Sequence, residues 1–513
     1  MILLVLDIDL RPDQAESSLA SVAGRRYHSS LRLHRIVKKS LDARKKDRIA
    51  VKYRAVFEAP EADRTRLLRE GAAVWEPEVA ETVQPAHRRP RVVIVGTGPA
   101  GLFCALRLLE HGVVCTVLEQ GKPVEERHRD VERLRTEGVL DPDSNIVFGE
   151  GGAGTYSDGK LTTRIHKPGI SWVFDRLVDH GAPPHILYDA KPHVGTDVLS
   201  SVVASIRRRL EAGGTELLFG QKVTEILRHE GNAIGVVTAS GQRFDAEAVV
   251  LACGHSARPL YEALAASDLP LERKGFAVGV RIEHPAPFLS RAQYGPWAEK
   301  LPAADYRLAW TNPVTGRGTY SFCMCPGGEV VNSSSEPGRL CVNGMSPSRR
   351  DLPHSNSALV TTVTPEDGPP GLLGGLEFQR NLEAGAYREG GRAPAQAARA
   401  FLDRRPGSGN LRTSYCPGVT EADFDDLLPP FLTAELRAAL AEFDRRIPGF
   451  VAQGTLIGVE TRTSSPVRIL RGEDFQSLGL AGLFPAGEGA GYAGGIVSSA
   501  VDGVRIADAI AQA

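Results

Sequence analysis

Apolar and polar residues alternate from Ile49 to Phe57, placing Ile49, Val51, Tyr53, Ala55 and Phe57 on one face of a half-buried strand. Met1–Leu10 predicts another strand and Leu31–Lys39 an extended segment, while Asp13–Ala23 and Glu61–Glu70 suit short helices. That order predicts a split βαβ, ferredoxin-like α+β module over residues 1–85, closed by the linker Gln84–Pro90. The pattern then changes. Val92–Val95 and Val113–Leu118 are continuously apolar runs of the kind buried in a parallel sheet, with a helix between them. Val124–Glu137 reads as a charged helix and Asp197–Ala212 as an amphipathic one. Glu216–Phe219, Val223–His229, Ala233–Ala239 and Gln242–Asp245 predict short strands, before Ala248–Gly254 returns as a buried one. From about 275 to 450, strand and helix no longer alternate, and short apolar strands lie between turns. Leu480–Ala511 closes the chain as strand, glycine turn and long helix. The predicted fold class is α/β: a Rossmann-type nucleotide-binding domain in two pieces, 91–275 and 451–513, with an inserted substrate domain at 276–450.

Glycine spacing indicates what that domain holds. Gly96, Gly98 and Gly101 fall at GxGxxG spacing where a helix must begin. The first permits a tight turn, the second lets backbone approach a pyrophosphate, and the third lets helix pack closely on strand. With Pro99 and Ala100 they open a helix whose free amides suit phosphates. Glu119, followed by Gln120, is placed to accept hydrogen bonds from ribose hydroxyls, which favours FAD or NAD over NADP. A second glycine-rich stretch, FGEGGAGTYSDGKL over Phe148–Leu161, leaves backbone free to lie against a flat ring. Gly152 and Thr155 sit in its turn, with Ser157, Asp158 and Lys160 near the polar edge of such a ring. A cation there would stabilise a reduced flavin. The stretch is no P-loop, because Leu161 follows Lys160. Near the C-terminus, Gly487 and Glu488 are placed to meet a ribityl chain, while Gly494, Gly495 and Ile496 start a second helix towards the pyrophosphate. This second half, in order after the first, selects FAD over NAD as the tightly held cofactor. Val223 and Gly254 complete the set. The meander and return strand resemble those of FAD enzymes with two dinucleotide domains, in which the residue at the Val223 position meets the adenine.

Composition adds compartment and charge. The net charge of -1 gives no global attraction to nucleic acid or membrane. Seven cysteines form no disulfide framework and read as reduced thiols, and Met1–Leu10 carries Asp7 and Asp9 without a basic start, so the expected location is cytoplasmic with no membrane partner. Cys323 and Cys325, one residue apart, would point the same way on a strand; their spacing fits neither CxxC nor a zinc pattern, and buried structural thiols are expected there and at Cys416, with no metal. One local excess stands out. Ten Lys/Arg lie between Arg32 and Arg54, against Asp42 and Asp47. They suit either an anion-binding or RNA-docking face or a solvated hairpin whose lysines prevent edge pairing.

With these residues in view, the chain resembles a bacterial family of FAD-dependent, NAD(FAD)-utilising dehydrogenases. The resemblance covers nearly the whole length: SLDARKK at Ser40–Lys46, VGTGPAGL at Val95–Leu102, FGEGGAGTYSDGKLTTR at Phe148–Arg164, FCMCPGGEVV at Phe322–Val331, GVETRTSSPVRI at Gly458–Ile469 and PAGEGAGYAGGI at Pro485–Ile496. It implies an FAD-binding fold with a ferredoxin-like N-terminal extension and an inserted domain, and names no substrate. Glu488 stands where flavoproteins more usually carry Asp. The segment GVETRTSSPVRI resembles one that passes the flavin from the substrate side. Glu460 is therefore the candidate proton acceptor or donor and Arg462 the candidate for orienting an anionic or carbonyl substrate, with an ordinary ion pair as the plain alternative. Tyr492 suits a gate or proton donor over the ring, or simple packing. The expectation is hydride transfer between flavin N5 and a small molecule, with NAD(P)H at most a transient electron donor because only one complete dinucleotide fingerprint is visible. The alternatives are an FAD-bearing RNA-modification enzyme and a scaffold stabilised by flavin.

Overall fold

The computed structural model describes residues 1–77, 82–163, 168–406 and 411–513. Arg164, the end of the expected flavin-facing motif, lies outside the described residues, as do residues 78–81 of the first predicted module. At the N-terminus, strand Ile2–Leu10, helix Leu19–Arg26, strands Arg32–Asp42 and Ala50–Ala59, helix Arg64–Arg69 and short strand Ala73–Val74 follow in order. Their antiparallel sheet runs Arg32–Asp42, Ala50–Ala59, Ile2–Leu10, Ala73–Val74. Alternation explains the layers. Leu4, Leu6, Ile8, Tyr53, Ala55 and Phe57 pack against Leu19, Ala23 and Leu67 of the helices. Ile49 departs from the expected face and packs with Tyr294 and Ala304 of the main body instead. Nearby, Lys39 N donates to Tyr188 O at 2.7 Å and Ala190 N to Lys39 O at 2.8 Å, so the edge strand is paired to the body at that point.

Acids within the basic run and on neighbouring elements pair with its cations. Arg32 pairs with Glu58, Lys39 with Glu16, Arg44 with Asp42, Arg48 with Asp47, Lys52 with Asp9 and Asp42, and Arg54 with Asp7. These exposed pairs contribute little to stability, but they leave less uncompensated charge than the sequence suggests.

The next unit is a five-stranded parallel sheet in the order Leu483–Pro485, Ala248–Leu251, Val92–Val95, Cys115–Leu118, Glu216–Leu218. Every residue of Val92–Val95 is buried, as the unbroken apolar run requires. Helices Pro99–Glu110 and Ile496–Gln512 pack side by side at a glycine, since a Cβ on Gly503 would stand 2.0 Å from Ala100 O. The first and last segments of the predicted domain thus form one layer pair. Val223–His229, Asn232–Thr238 and Arg243–Asp245 make a separate three-stranded antiparallel meander.

A second large sheet has seven strands: Ala309–Thr311, Gly318–Cys325, His354–Val363, Phe276–Pro285, Thr455–Glu460, Ala393–Ala397 and Val419–Glu421. The inserted unit was expected to end at 450. Thr455–Glu460 instead pairs with Phe276–Pro285 and Ala393–Ala397 inside this sheet, so the boundary moves past Glu460. The expectation for Cys323 and Cys325 also changes. Cys323 has φ +46° and the register shifts between Phe322 and Cys325, so a bulge breaks the alternation that would have aligned the two thiols. Cys325 is buried, Cys323 half-buried, and Cys416, expected to be buried, is exposed. Among the described residues, no helix is long and apolar enough to cross a membrane.

Candidate functional site

A cleft of about 1470 Å³ runs from the parallel sheet to the seven-stranded one. Small-molecule sites commonly measure ~300–1,000 Å³, so it has room for an extended dinucleotide and a second molecule. Two helix starts open into it. Gly98 caps Pro99–Glu110 and Gly495 caps Ile496–Gln512, and Gly98, Pro99, Ala100, Gly494, Gly495 and Ile496 all line the cleft. The unbonded amides of each first helical turn and the helix dipoles favour anionic groups there, although Pro99 has no N–H and Gly494 N already donates to Ser498 Oγ at 3.2 Å.

The glycine-rich loop is held by a residue that sequence reasoning missed. Arg127, fully buried on the charged helix Val124–Glu137, donates to the carbonyls of Asn145, Ile146, Glu150 and Gly152 at 2.6–3.0 Å. Burial pushes its guanidinium down to about 10. These bonds fix the turn that brings Gly152, Ser157 and Lys160 to the cleft.

Of the expected cofactor residues, Gly96, Glu119, Gln120, Val223, Gly254, Gly487 and Glu488 also line the cleft. Gly101 and Thr155 do not. Gly101 faces the strand, where a Cβ would meet Gly96 O at 2.0 Å, and Thr155 turns inward to donate to Glu150 O at 3.2 Å. Glu119 already accepts four hydrogen bonds, from Thr97 N and Oγ1, Gly121 N and Gly149 N. A carboxylate offers about four acceptor positions, so a ribose hydroxyl there would share rather than fill a vacancy. Glu488 differs: among the described residues no hydrogen bond reaches its carboxylate, and His255 Nδ1 stands 3.6 Å away. Burial pushes Glu488 up to about 7, against the pull of Lys274, while burial with Arg462 and Arg258 pushes His255 down to about 3. A raised carboxyl contributes stability below its unfolded value, and that contribution is lost as pH rises from about 4.5 to about 7. FAD-stripped protein should therefore lose resistance to urea across this range, and Glu488→Gln should flatten that slope.

Two arginine hubs stand at the seven-stranded sheet. Arg281, fully buried in the apolar strand Phe276–Pro285, donates from Nη1 to Glu460 Oε2 at 2.9 Å and Asn343 Oδ1 at 3.0 Å. Its Nε reaches Asn356 Oδ1 at 2.9 Å, and its Nη2 reaches Cys323 O at 2.8 Å and Cys325 Sγ at 3.6 Å. Glu460, Asn343 and Cys323 all line the cleft. Burial raises Glu460 more than Arg281 lowers it, and among the described residues no hydrogen bond reaches its Oε1. Arg462 is differently placed from the expectation. It donates to both oxygens of buried Glu383 at 2.8–2.9 Å and to Ser256 and Ser335, while Arg258 grips Glu383 from the other side. Burial alone would raise Glu383, but Arg462 and Arg258 together hold it well below the usual carboxylate range. A guanidinium so committed is a wall of the cleft and not a free anchor for an anion. Tyr492 lines the cleft, yet the guanidinium groups of Arg468 and Arg471 stand 5.4 and 3.9 Å from its ring centroid, and its hydroxyl accepts from Arg471 N at 3.2 Å.

Comparison with known proteins agrees with this geometry. Residues 91–128 match the model described as "FAD binding domain", residues 154–274 that of "Flavin containing amine oxidoreductase", and residues 275–463 that of "FAD-dependent protein, C-terminal domain-like". The open helix starts and the Glu488 carboxylate, which no described donor engages, fit the cofactor those models name. The protein is of the FAD-dependent oxidoreductase class, with FAD as its cofactor. The chain belongs to the same family as an uncharacterized protein of Clostridium beijerinckii, with 42% identity over 490 residues, 93% of this chain and 92% of that one. Solved structures with lower similarity include CtdE in complex with FAD (12% identity, 81% of this chain and 82% of that one, TM-score 0.30) and the flavin-dependent brominase Bmp2 triple mutant (12% identity, 82% and 80%, TM-score 0.37).

Proposed function

We propose that the protein is a dehydrogenase or reductase acting on a small molecule, with Glu460 as the group that takes or gives the substrate proton. When bound, FAD supplies the two-electron chemistry, exchanging a hydride with the substrate at N5. The observation that carries this reading is the asymmetric fixing of Glu460 at the cleft wall, with Oε2 held by Arg281 and no hydrogen bond from the described residues on Oε1. Asn343, held by the same guanidinium, lies beside it to receive or donate a hydrogen bond to the substrate. The seven-stranded unit is in this reading the substrate domain. The parallel sheet with its meander is the two-dinucleotide-domain arrangement, and the N-terminal unit is a ferredoxin-like brace, its edge strand hydrogen-bonded to the body through Lys39. An RNA-docking face is not part of this reading of the N-terminal unit, in which six of the ten cations in the basic run already have acidic partners.

Anaerobic mixing of the yellow protein with NADH and with NADPH tests the electron donor. Rapid loss of flavin absorbance with either one makes the protein a pyridine-nucleotide-driven reductase, and Glu460→Gln should then slow re-oxidation by the acceptor. Bleaching by neither makes the substrate itself the donor, and Glu460→Gln should slow bleaching by active metabolite fractions. A loss of ~10²–10⁴-fold is expected in either case. As a base, Glu460 works once ionised, so the rate should rise with pH through its raised value, and the variant should lose that rise. A flavin that no nucleotide or metabolite fraction reduces would overturn the proposal and leave a scaffold.

A further inference from the structure

Four cations and two carboxylates stand on the wall of the same cleft as Glu460. Asp158, Lys160, Lys191, Asp305, Arg307 and Arg350 all line it. Asp158 is almost completely buried and both its oxygens are taken by Arg350, through Nε at 3.0 Å and through Nη2. Lys160 Nζ lies 3.3 Å from the same carboxylate without hydrogen-bond geometry, and it is buried with no hydrogen-bond partner. Lys191 and Asp305 neutralise one another at 2.7 Å. Arg307 is exposed, two residues beyond Asp305, and among the described residues no ion pair or hydrogen bond engages its side chain. The Glu460 charge on the same wall is balanced by Arg281.

After these pairs are matched, two positive charges remain, on the Lys160–Asp158–Arg350 group and on Arg307. The Lys160, Arg281, Asp158 and Glu460 charges all act on the Cys323 thiol, which places Lys160 on the Glu460 side of the cleft. A buried ammonium with unfilled donors is costly unless a partner arrives. Beyond that 3.3 Å ion pair, no hydrogen bond from the described residues holds the Lys160 ammonium, because both Asp158 oxygens are already bonded to Arg350.

We propose that this wall is an oxyanion subsite, and that the substrate carries a carboxylate or phosphate group bound by Lys160 and Arg307. The proposal rests on the reading of Glu460 as the reacting end of the cleft, and it assigns Lys160 to the substrate instead of to the flavin edge. It also replaces Arg462 with Lys160 and Arg307 as the residues that orient an anion. A lysine point charge and an arginine fork accept either oxyanion, so the source is decided by titration.

The test uses oxidised holoprotein and the flavin visible difference spectrum, which requires no turnover. Benzoate and inorganic phosphate are titrated in parallel, with benzamide as the uncharged counterpart of benzoate. A saturable change with benzoate or phosphate and none with benzamide is expected, the tighter of the two probes identifying the substrate's group. Lys160→Met and Arg307→Met should each weaken binding by about tenfold or more, the value of a charge-assisted bond, while Lys160→Arg should retain most of it. Flavin content is measured for each variant, and Arg307→Met keeps the test valid should Lys160→Met lose flavin. Equal response to benzamide, no response to either anion at tens of millimolar, or unchanged affinity in both methionine variants would overturn the subsite. Glu460→Gln separates the two ideas. If the Glu460 reading alone fails, that variant keeps its reaction rate and pH profile while the anion titrations stand; if the subsite alone fails, the pH profile stands without them.

Discussion

Replacing Arg281 with methionine should destabilise the protein by about 3–5 kcal/mol, the usual effect of removing one member of a buried ion pair. The residue has no exposure, and its loss leaves the carboxylate of Glu460 uncompensated, along with Asn343 Oδ1, Asn356 Oδ1 and Cys323 O. Chemical denaturation should show the deficit, and its pH dependence has a definite sign. Burial already pushes Glu460 up, and without the guanidinium that push is unopposed. The folded variant then holds a proton that the unfolded chain has released, so its stability falls as pH rises above the ordinary glutamate range. The deficit should be larger at pH 8 than at pH 5. Arg281→Met combined with Glu460→Leu should recover much of the loss, since an apolar pair of similar volume replaces a buried ion pair without leaving a charge behind. Arg281→Lys should fall between, because three rotating donors cannot reach all the partners of a planar fork. A midpoint for Arg281→Met indistinguishable from that of the parent would remove Arg281 from the centre of this site.

The nucleotide-binding layer was legible because its signals are local. The run Val92–Val95, the glycine turn and the helix after it lie within twenty residues, and their spacing follows from strand and helix geometry. The edge of the inserted unit was not legible, because Thr455–Glu460 is an ordinary short apolar strand whose partner begins at Phe276. The Arg281 hub was missed for the same reason. Its partners stand 62, 75 and 179 residues away, and only the presence of Arg281, Glu283 and His284 in an otherwise apolar strand hinted that the sheet buries charge. Arg462 shows the converse. Its motif drew attention to it, but Glu383 and Arg258, brought in by other elements, decide that it is spent on the wall. Motifs reported which segments meet the cleft. Which side chains are free in it depended on long-range pairing.

The glycine fingerprint yields the second large effect, and it divides into two different failures. Gly98 has φ −64° and ψ 177°, a conformation open to any residue, and a Cβ placed there meets no atom within 4 Å. That open space is the cleft at the start of helix Pro99–Glu110. Gly98→Val should therefore fold, with unchanged far-ultraviolet dichroism, yet fill the position from which backbone approaches a pyrophosphate. Losing two charge-assisted bonds at about 1.5–3 kcal/mol each weakens FAD binding by roughly a hundredfold or more, and the protein should purify colourless. Gly101→Val should fail differently. A Cβ there would sit 2.0 Å from Gly96 O and 3.3 Å from Ile94 Cγ2, forcing the helix off its strand, so the variant should be poorly folded with or without added FAD. The contrast is what makes the pair informative. Two colourless proteins, one folded and one not, would separate the glycine that admits the cofactor from the glycine that admits the helix. Gly98→Val purifying with a full complement of flavin would mean that the pyrophosphate does not pass this turn, and the orientation of FAD in the cleft would have to be reversed.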